Sequence, residues 1–125
     1  MTARDVEFVP ATRDLVTAFY GYVPQPTIQA HVAVLDGRVV GVAGIAFESG
    51  GPMLFSDPAP EMRARRRDMV RAVRFLEAQA KGFKGRLFAI AKVGEPAAPR
   101  LLKRLGFVPV EGERAEGVLM VRLFP

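Results

Sequence analysis

Pro96-Ala97-Ala98-Pro99-Arg100-Leu101-Leu102-Lys103-Arg104-Leu105-Gly106-Phe107 is the stretch on which the fold turns. It predicts a helix from Pro96 to Leu105, because proline is tolerated in a first turn, where no intrahelical N–H is needed. Gly106 fits the left-handed position just past a helix end, and Phe107 fits the hydrophobic contact beyond it. Upstream, Arg86–Val93 reads as a buried strand with Leu87, Phe88, Ile90 and Val93 as its apolar members. Downstream, Phe107–Val110 and Gly117–Phe124 read as a closing strand pair joined by the polar loop Glu111–Glu116.

Further out, Glu61–Lys81 has helical periodicity. Met62, Met69, Val73, Leu76 and Ala80 fall within about 60° at 100° per residue, one core-facing stripe. Arg63, Arg67, Arg71 and Arg74 lie opposite as a solvated face, Arg65 and Arg66 flank the stripe, and Gly82 ends the helix. Two β-rich runs, Ile28–Leu35 and Arg38–Glu48, are separated by Asp36-Gly37. That dipeptide favours the two positive φ values of a type I′ hairpin turn. The second run is nearly continuous in apolar and small residues, which places it centrally in a sheet. Gly50-Gly51 turns the chain into a short strand, Pro52–Ser56, which leaves through a loop at Asp57-Pro58-Ala59-Pro60 with Asp57 as a turn residue. At the start, Asp5–Val9 is a strand, and Thr12 caps a short helix, Arg13–Tyr20, that Gly21 ends. A stiff Pro24-Gln25-Pro26 loop follows. The order is β-α-β-β-β-α-β-α-β-β with no repeat and no linker, a mixed sheet flanked by helices.

The chain has 125 residues, the size of one domain, and 50% of them are hydrophobic, enough for a core. It has no cysteine. Disulfides, thiolate nucleophiles and zinc-thiolate sites are thereby excluded. One histidine cannot build a multi-histidine metal site, so no metal is expected. No run approaches the roughly 18 apolar residues of a membrane span. Met1–Asp5 has no signal-like apolar region, so an intracellular, cytoplasmic chain without membrane contact is expected. The net charge of +5 is polarised: residues 63–104 hold 13 Lys/Arg against three acids, and the rest of the chain is net −5. Fourteen of the 18 basic residues are arginine, which suits a phosphate-bearing ligand or an acidic surface on one side. Nucleic acid is the weakest of these readings.

The element order resembles the GNAT superfamily of acetyl-CoA-dependent N-acetyltransferases. Three stretches carry the resemblance: Asp36–Gly44 as the hairpin, Phe55–Leu76 as the strand-to-helix passage, and Ala97–Phe107 with its Leu-Gly-Phe ending. The resemblance implies a single GNAT-like domain over 1–125, an α/β (α+β) fold whose mixed, mostly antiparallel sheet has six or seven strands. It also implies transfer of acetyl from acetyl-CoA to a primary amine, a small molecule or a protein. The family opens its third helix with Arg/Gln-x-x-Gly-x-Gly/Ala. Aligned on Arg63, the glycine positions here hold Arg66 and Asp68, and an acid there would repel phosphate. Glu95 and Leu102 stand where the family often has asparagine and a thiol-protonating tyrosine. The chain is also similar to small GNAT-like proteins of tailed phages, some of them virion components. A catalytically silent fold acting as a structural or interaction protein, with virion proteins among its partners, is therefore the alternative, and the short Thr12–Thr27 segment, where the family builds an acceptor lid, agrees with it.

In the transferase reading the cofactor lies between the ends of Pro52–Ser56 and Arg86–Val93. The main chain of Met53, Leu54, Phe55 and Ser56 aligns the pantetheine, and Arg65 and Arg66 replace the missing glycine amides. Glu48 and Glu61 are the carboxylates placed to deprotonate an amine. Surface roles compete for both: a strand end for Glu48 and a first-turn dipole partner for Glu61. His31, alone on its strand, reads as a surface or satisfied residue.

Overall fold

The computed structural model describes residues 5–24, 26–92, 97–114 and 117–124. Seven strands and four helices follow in the order β1 (Glu7–Pro10), α1 (Arg13–Tyr20), β2 (Thr27–Leu35), β3 (Arg38–Glu48), β4 (Gly51–Pro58), α2 (Pro60–Arg63), α3 (Arg66–Gly82), β5 (Gly85–Lys92), α4 (Ala97–Arg104), β6 (Val108–Arg114) and β7 (Gly117–Phe124). The strands form one mixed sheet, β1-β2-β3-β4-β5-β7-β6. Every neighbouring pair is antiparallel except β4 and β5, which run parallel.

The hairpin between β2 and β3 forms as its sequence dictates, with φ of 51° at Asp36 and 79° at Gly37. Just beyond it the register skips: Ala33 pairs with Gly41 but Val34 with Val39. Val40 is therefore the extra residue of a β-bulge. Its side chain joins the cluster of Val6, Ala33, Leu35 and Met62, whereas Val42 packs with Val16 and Val32 on the other face. The bulge carbonyl accepts the Ala59 N–H at 2.8 Å, which ties the exit of β4 to β3.

α1 covers one face through Val16, with Leu15 and Phe19 beside it, after Thr12 accepts the Leu15 N–H as its cap. α3 and α4 cover the other face. There Leu76, Ala80, Leu102 and Leu105 pack on Ile45, Leu54, Leu87, Ala89 and Met120. α4 ends as its sequence requires: Gly106 has φ of 94°, its N–H reaches the Lys103 carbonyl, and the Phe107 N–H reaches that of Leu102. These are the two hydrogen bonds of a Schellman end, and Phe107 is buried beyond it.

Four expectations are corrected. Glu61–Lys81 is not one helix: α2 stops at Arg63 and α3 starts at Arg66, with Arg65 at ψ 80° between them. Two anchors force the break. Met62 is buried in the β1–β3 cluster, and the Arg65 side chain turns back to Asp68. β4 runs on to Pro58, so Asp57 is a strand residue opposite Val42 rather than a turn residue. Arg71 is not on a solvated face; it reaches β1, as described below. β6 extends to Arg114, so residues 111–114 are strand and not loop. The expected start of α4 at Pro96, and Glu95 before it, lie outside the described residues.

Candidate active site

The parallel pair at the centre of the sheet is short. Met53 pairs with Phe88 and Leu54 with Ala89, and no further pair follows, although β4 continues to Pro58 and β5 to Lys92. On its other edge β4 stays paired with β3 along its whole length, from Glu48↔Gly51 to Gly41↔Pro58. From Phe55 onward the β5-facing edge of β4 thus has no ladder partner among the described residues. Backbone donors and acceptors on such an edge need partners from outside the sheet.

Phe88 leans toward Gly51 at the paired end of the strands, where a Cβ on Gly51 would lie 2.9 Å from its ring. Leu102 is 6% exposed and packs into the core with Ala89 and Leu105. Leu54 is buried under α3, Met53 and Phe55 are half-buried, and Ser56 is exposed opposite Ala43.

β4 leads directly into the arginine cluster. Arg63 donates through Nε to the Pro58 carbonyl. Arg65 donates through Nε to Asp68 Oδ2 at 2.6 Å. Arg71 donates through Nη1 to Asp68 Oδ1 at 3.0 Å and to the Val6 carbonyl at 2.9 Å, with its guanidinium 4.9 Å from the Phe8 ring. Asp68 is only 2% exposed. Burial pushes its carboxyl up, but hydrogen bonds from Arg65 and Arg71, the Arg65 charge and the Val6 N–H outweigh that and hold it below the usual carboxylate value. Asp68 is therefore buried inside a frame of two arginines, which removes the expected repulsion of phosphate. The structure separates the two arginines read together from the sequence: Arg65 is committed to Asp68, while Arg66 is exposed in the first turn of α3. No side chain caps that helix start. Its first N–H groups thus carry partial positive charge, and Arg66 is exposed in the same turn.

The two candidate carboxylates are placed elsewhere. Glu48 is exposed at the end of β3, opposite Gly51 and so about 13 Å along the strand from Phe55. Glu61 accepts from Arg38 Nη1 and Nη2 at 2.9 and 3.0 Å. His31 faces α3 with its ring 5.2 Å from that of Phe75, and its Nδ1 is buried without a hydrogen-bond partner.

The structure adds a pair that no local pattern announces. Tyr20, the last residue of α1, donates its hydroxyl to Asp57 Oδ2 at 2.6 Å. Burial of the ring, then the hydrogen bond and charge of Asp57, push the phenol well above its usual range, so it stays protonated. The one available signal is that a half-buried tyrosine hydroxyl needs a polar partner.

No protein-family model matches the sequence, and no curated protein matches it. Solved structures do. An acetyltransferase of the GNAT family from Streptococcus pneumoniae superposes with a TM-score of 0.62 at 16% identity, over 97% of this chain and all of that one. A GNAT superfamily phosphinothricin acetyltransferase from Sinorhizobium meliloti, solved in complex with acetyl-CoA, gives 0.56 at 14% identity, over 95% and 88%. An acetyltransferase from Thermus thermophilus gives 0.54 at 17% identity, over 98% and 99%. These likenesses give this chain the fold of the GNAT acetyltransferases, a single domain built on a seven-stranded mixed sheet.

Proposed function

We propose that the chain transfers an acetyl group from acetyl-CoA to a primary amine, with the opening between β4 and β5 as the reaction site. The observation that carries this reading is the end of β4–β5 pairing at Leu54 and Ala89, which leaves one edge of a central strand without a ladder partner among the described residues. The main chain of Met53, Leu54, Phe55 and Ser56 lies along that edge and is suited to align a pantetheine arm by strand-like hydrogen bonds. The uncapped first turn of α3 and the exposed Arg66 are suited to the cofactor's diphosphate. Arg65 acts on the same turn indirectly, by holding Asp68 in the neutralised frame. Acetyl-CoA supplies the thioester carbon that a neutral amine attacks; as the C–N bond forms the C–S bond breaks, and CoA leaves as the thiol, with the proton given up by nitrogen passing through water. The protein contributes alignment of that carbon and removal of water from around it. In this reading Glu61, held by Arg38, and Glu48, at the far end of β3, take surface roles rather than the amine's proton.

A silent scaffold is the second reading, favoured by Leu102 being buried where the family often has a tyrosine and by arginine and aspartate at the glycine positions. Its partners would be proteins, virion proteins included. Calorimetric titration with acetyl-CoA separates the two. Transfer requires saturable binding in the micromolar range that Arg66→Ala weakens by about tenfold, the value of one charge-assisted hydrogen bond. No heat up to millimolar acetyl-CoA would overturn the transfer reading and leave the scaffold.

A further inference from the structure

α3 and α4 pack on the same face of the sheet, and together they gather the basic segment of the chain on one side of the molecule. α3 holds five arginines and lysines and α4 holds three, against two acids, Asp68 and Glu77. Both acids are engaged inside the fold. Asp68 is buried between Arg65 and Arg71, and Glu77 accepts from Arg104 Nη2 at 2.5 Å. Six cations remain: Arg66, Arg67, Arg74 and Lys81 on α3, and Arg100 and Lys103 on α4. All six are exposed, and none has a hydrogen-bond or ion-pair partner among the described residues. Arg67, Arg74 and Lys81 recur every seven residues, within about 20° of two full turns, so they line one side of α3 over about 21 Å.

Such a face suits a polyanion, and its chemistry favours the backbone of a duplex. An exposed ion pair between two proteins contributes under about 1 kcal/mol, and a stable protein interface is built round an apolar centre. Among the described residues, Val70 and Phe75 are the only large apolar side chains exposed on these two helices. A polyphosphate instead gains by releasing its condensed counterions, which requires charge alone. A single strand is held by stacking its bases on open rings, but the Phe75 ring is taken by Phe8 at 4.8 Å and His31 at 5.2 Å. Uncharged side chains that could read base edges or a ribose 2′-hydroxyl are missing too. Neither helix has serine, threonine or asparagine, and Gln79 donates to the Gln29 carbonyl. We propose that the α3–α4 face binds double-stranded DNA through its phosphates, without sequence preference. The sequence alone leaves this reading last; withdrawal of both acids from the surface raises it. It does not rest on acetyl transfer, with which it shares Arg66 only.

Fluorescence anisotropy of a labelled, mixed-sequence DNA duplex tests the face without acetyl-CoA, and Arg66 is left intact throughout. Saturable binding with a Kd of about 1–10 µM is expected at about 50 mM salt. Affinity should fall about eightyfold by about 150 mM, a log–log slope near −4 for four or five neutralised phosphates. Arg74→Glu should weaken the duplex about tenfold and flatten that slope by about one. Arg13 is exposed on α1, across the sheet; Arg13→Glu makes the same change in net charge and should weaken binding less than about twofold. Both are surface changes and should leave the melting temperature within about 2 °C. If Arg74→Glu does not fold, Lys103→Glu gives the same comparison from α4. Absence of saturable binding at the lower salt, a salt-independent affinity, or equal losses from Arg74→Glu and Arg13→Glu would overturn the proposal. So would tighter binding of a single strand or an RNA duplex of the same length, or displacement by polyglutamate as effective as by unlabelled duplex. Failure of the transfer reading shows separately, as absent acetyl-CoA heat with duplex binding intact.

Discussion

Asp68→Asn should be among the most damaging isosteric changes in the chain. The substitution keeps the shape of the side chain and removes its charge, so Arg65 and Arg71 lose their common anion and Val6 loses a strong acceptor. Breaking a fully buried ion pair costs about 3–5 kcal/mol. Here the arginine side chains are 27% and 38% exposed, and water rescreens them, so about 2–3 kcal/mol is expected. For a domain of this size that is a fall in melting temperature of roughly 8–12 °C at pH 7. The pH dependence has a definite sign. The folded carboxyl is held below its ordinary value of 3.8. The unfolded chain therefore binds the proton more readily, and the stabilisation is complete above about pH 4 and is lost as pH falls through the depressed folded value. Thermal melts of wild type and variant, followed by circular dichroism from pH 7 to about pH 2.5, should show a gap that is constant near neutrality and narrows in acid. A gap under about 2 °C at pH 7, or one that stays constant into acid, would refute the role given to Asp68.

Three other outcomes are expected. Gly44→Ala places a Cβ against the Gln29 carbonyl oxygen and 2.6 Å from the Ala30 Cα; backbone cannot step aside as a side chain can, so chemical denaturation should show a loss of about 3 kcal/mol or more. Arg38→Ala removes the exposed grip on Glu61, whose pair is 62% and 42% exposed, and should cost under about 1 kcal/mol in the same assay. Arg66→Ala should leave the melting temperature within about 2 °C, as a surface change does, while weakening acetyl-CoA in calorimetry; equal losses of both would mean the residue is structural.

The parts of the fold that could be read from the sequence are those fixed by neighbours along the chain. Asp36-Gly37 carries its own turn geometry, and Leu105-Gly106-Phe107 carries its own helix end. The break between α2 and α3 was not legible, because the periodicity of Met62 with Met69 is uninterrupted and the two anchors that separate the helices, burial of Met62 against β1 and β3 and the turn of Arg65 back to Asp68, are tertiary. The candidate site divides the same way. Met53–Ser56 and the arginine cluster are contiguous and could be named in advance. Tyr20 with Asp57 and Arg71 with Val6 join residues 37 and 65 positions apart, and nothing local marks them. Asp57-Pro58 reads as a turn in isolation; the pairing of β4 with β3 as far as Gly41↔Pro58 keeps it in the strand.

Backbone amide shifts of the ¹⁵N-labelled chain during titration with acetyl-CoA test most directly whether the parted strands and the start of α3 hold the cofactor. Saturable shifts centred on Met53–Ser56 and on Arg66–Asp68 are predicted, the first group along the open edge of β4 and the second at the uncapped helix start. No shifts at millimolar acetyl-CoA, or shifts centred on α4 and β6 with β4 unmoved, would contradict it.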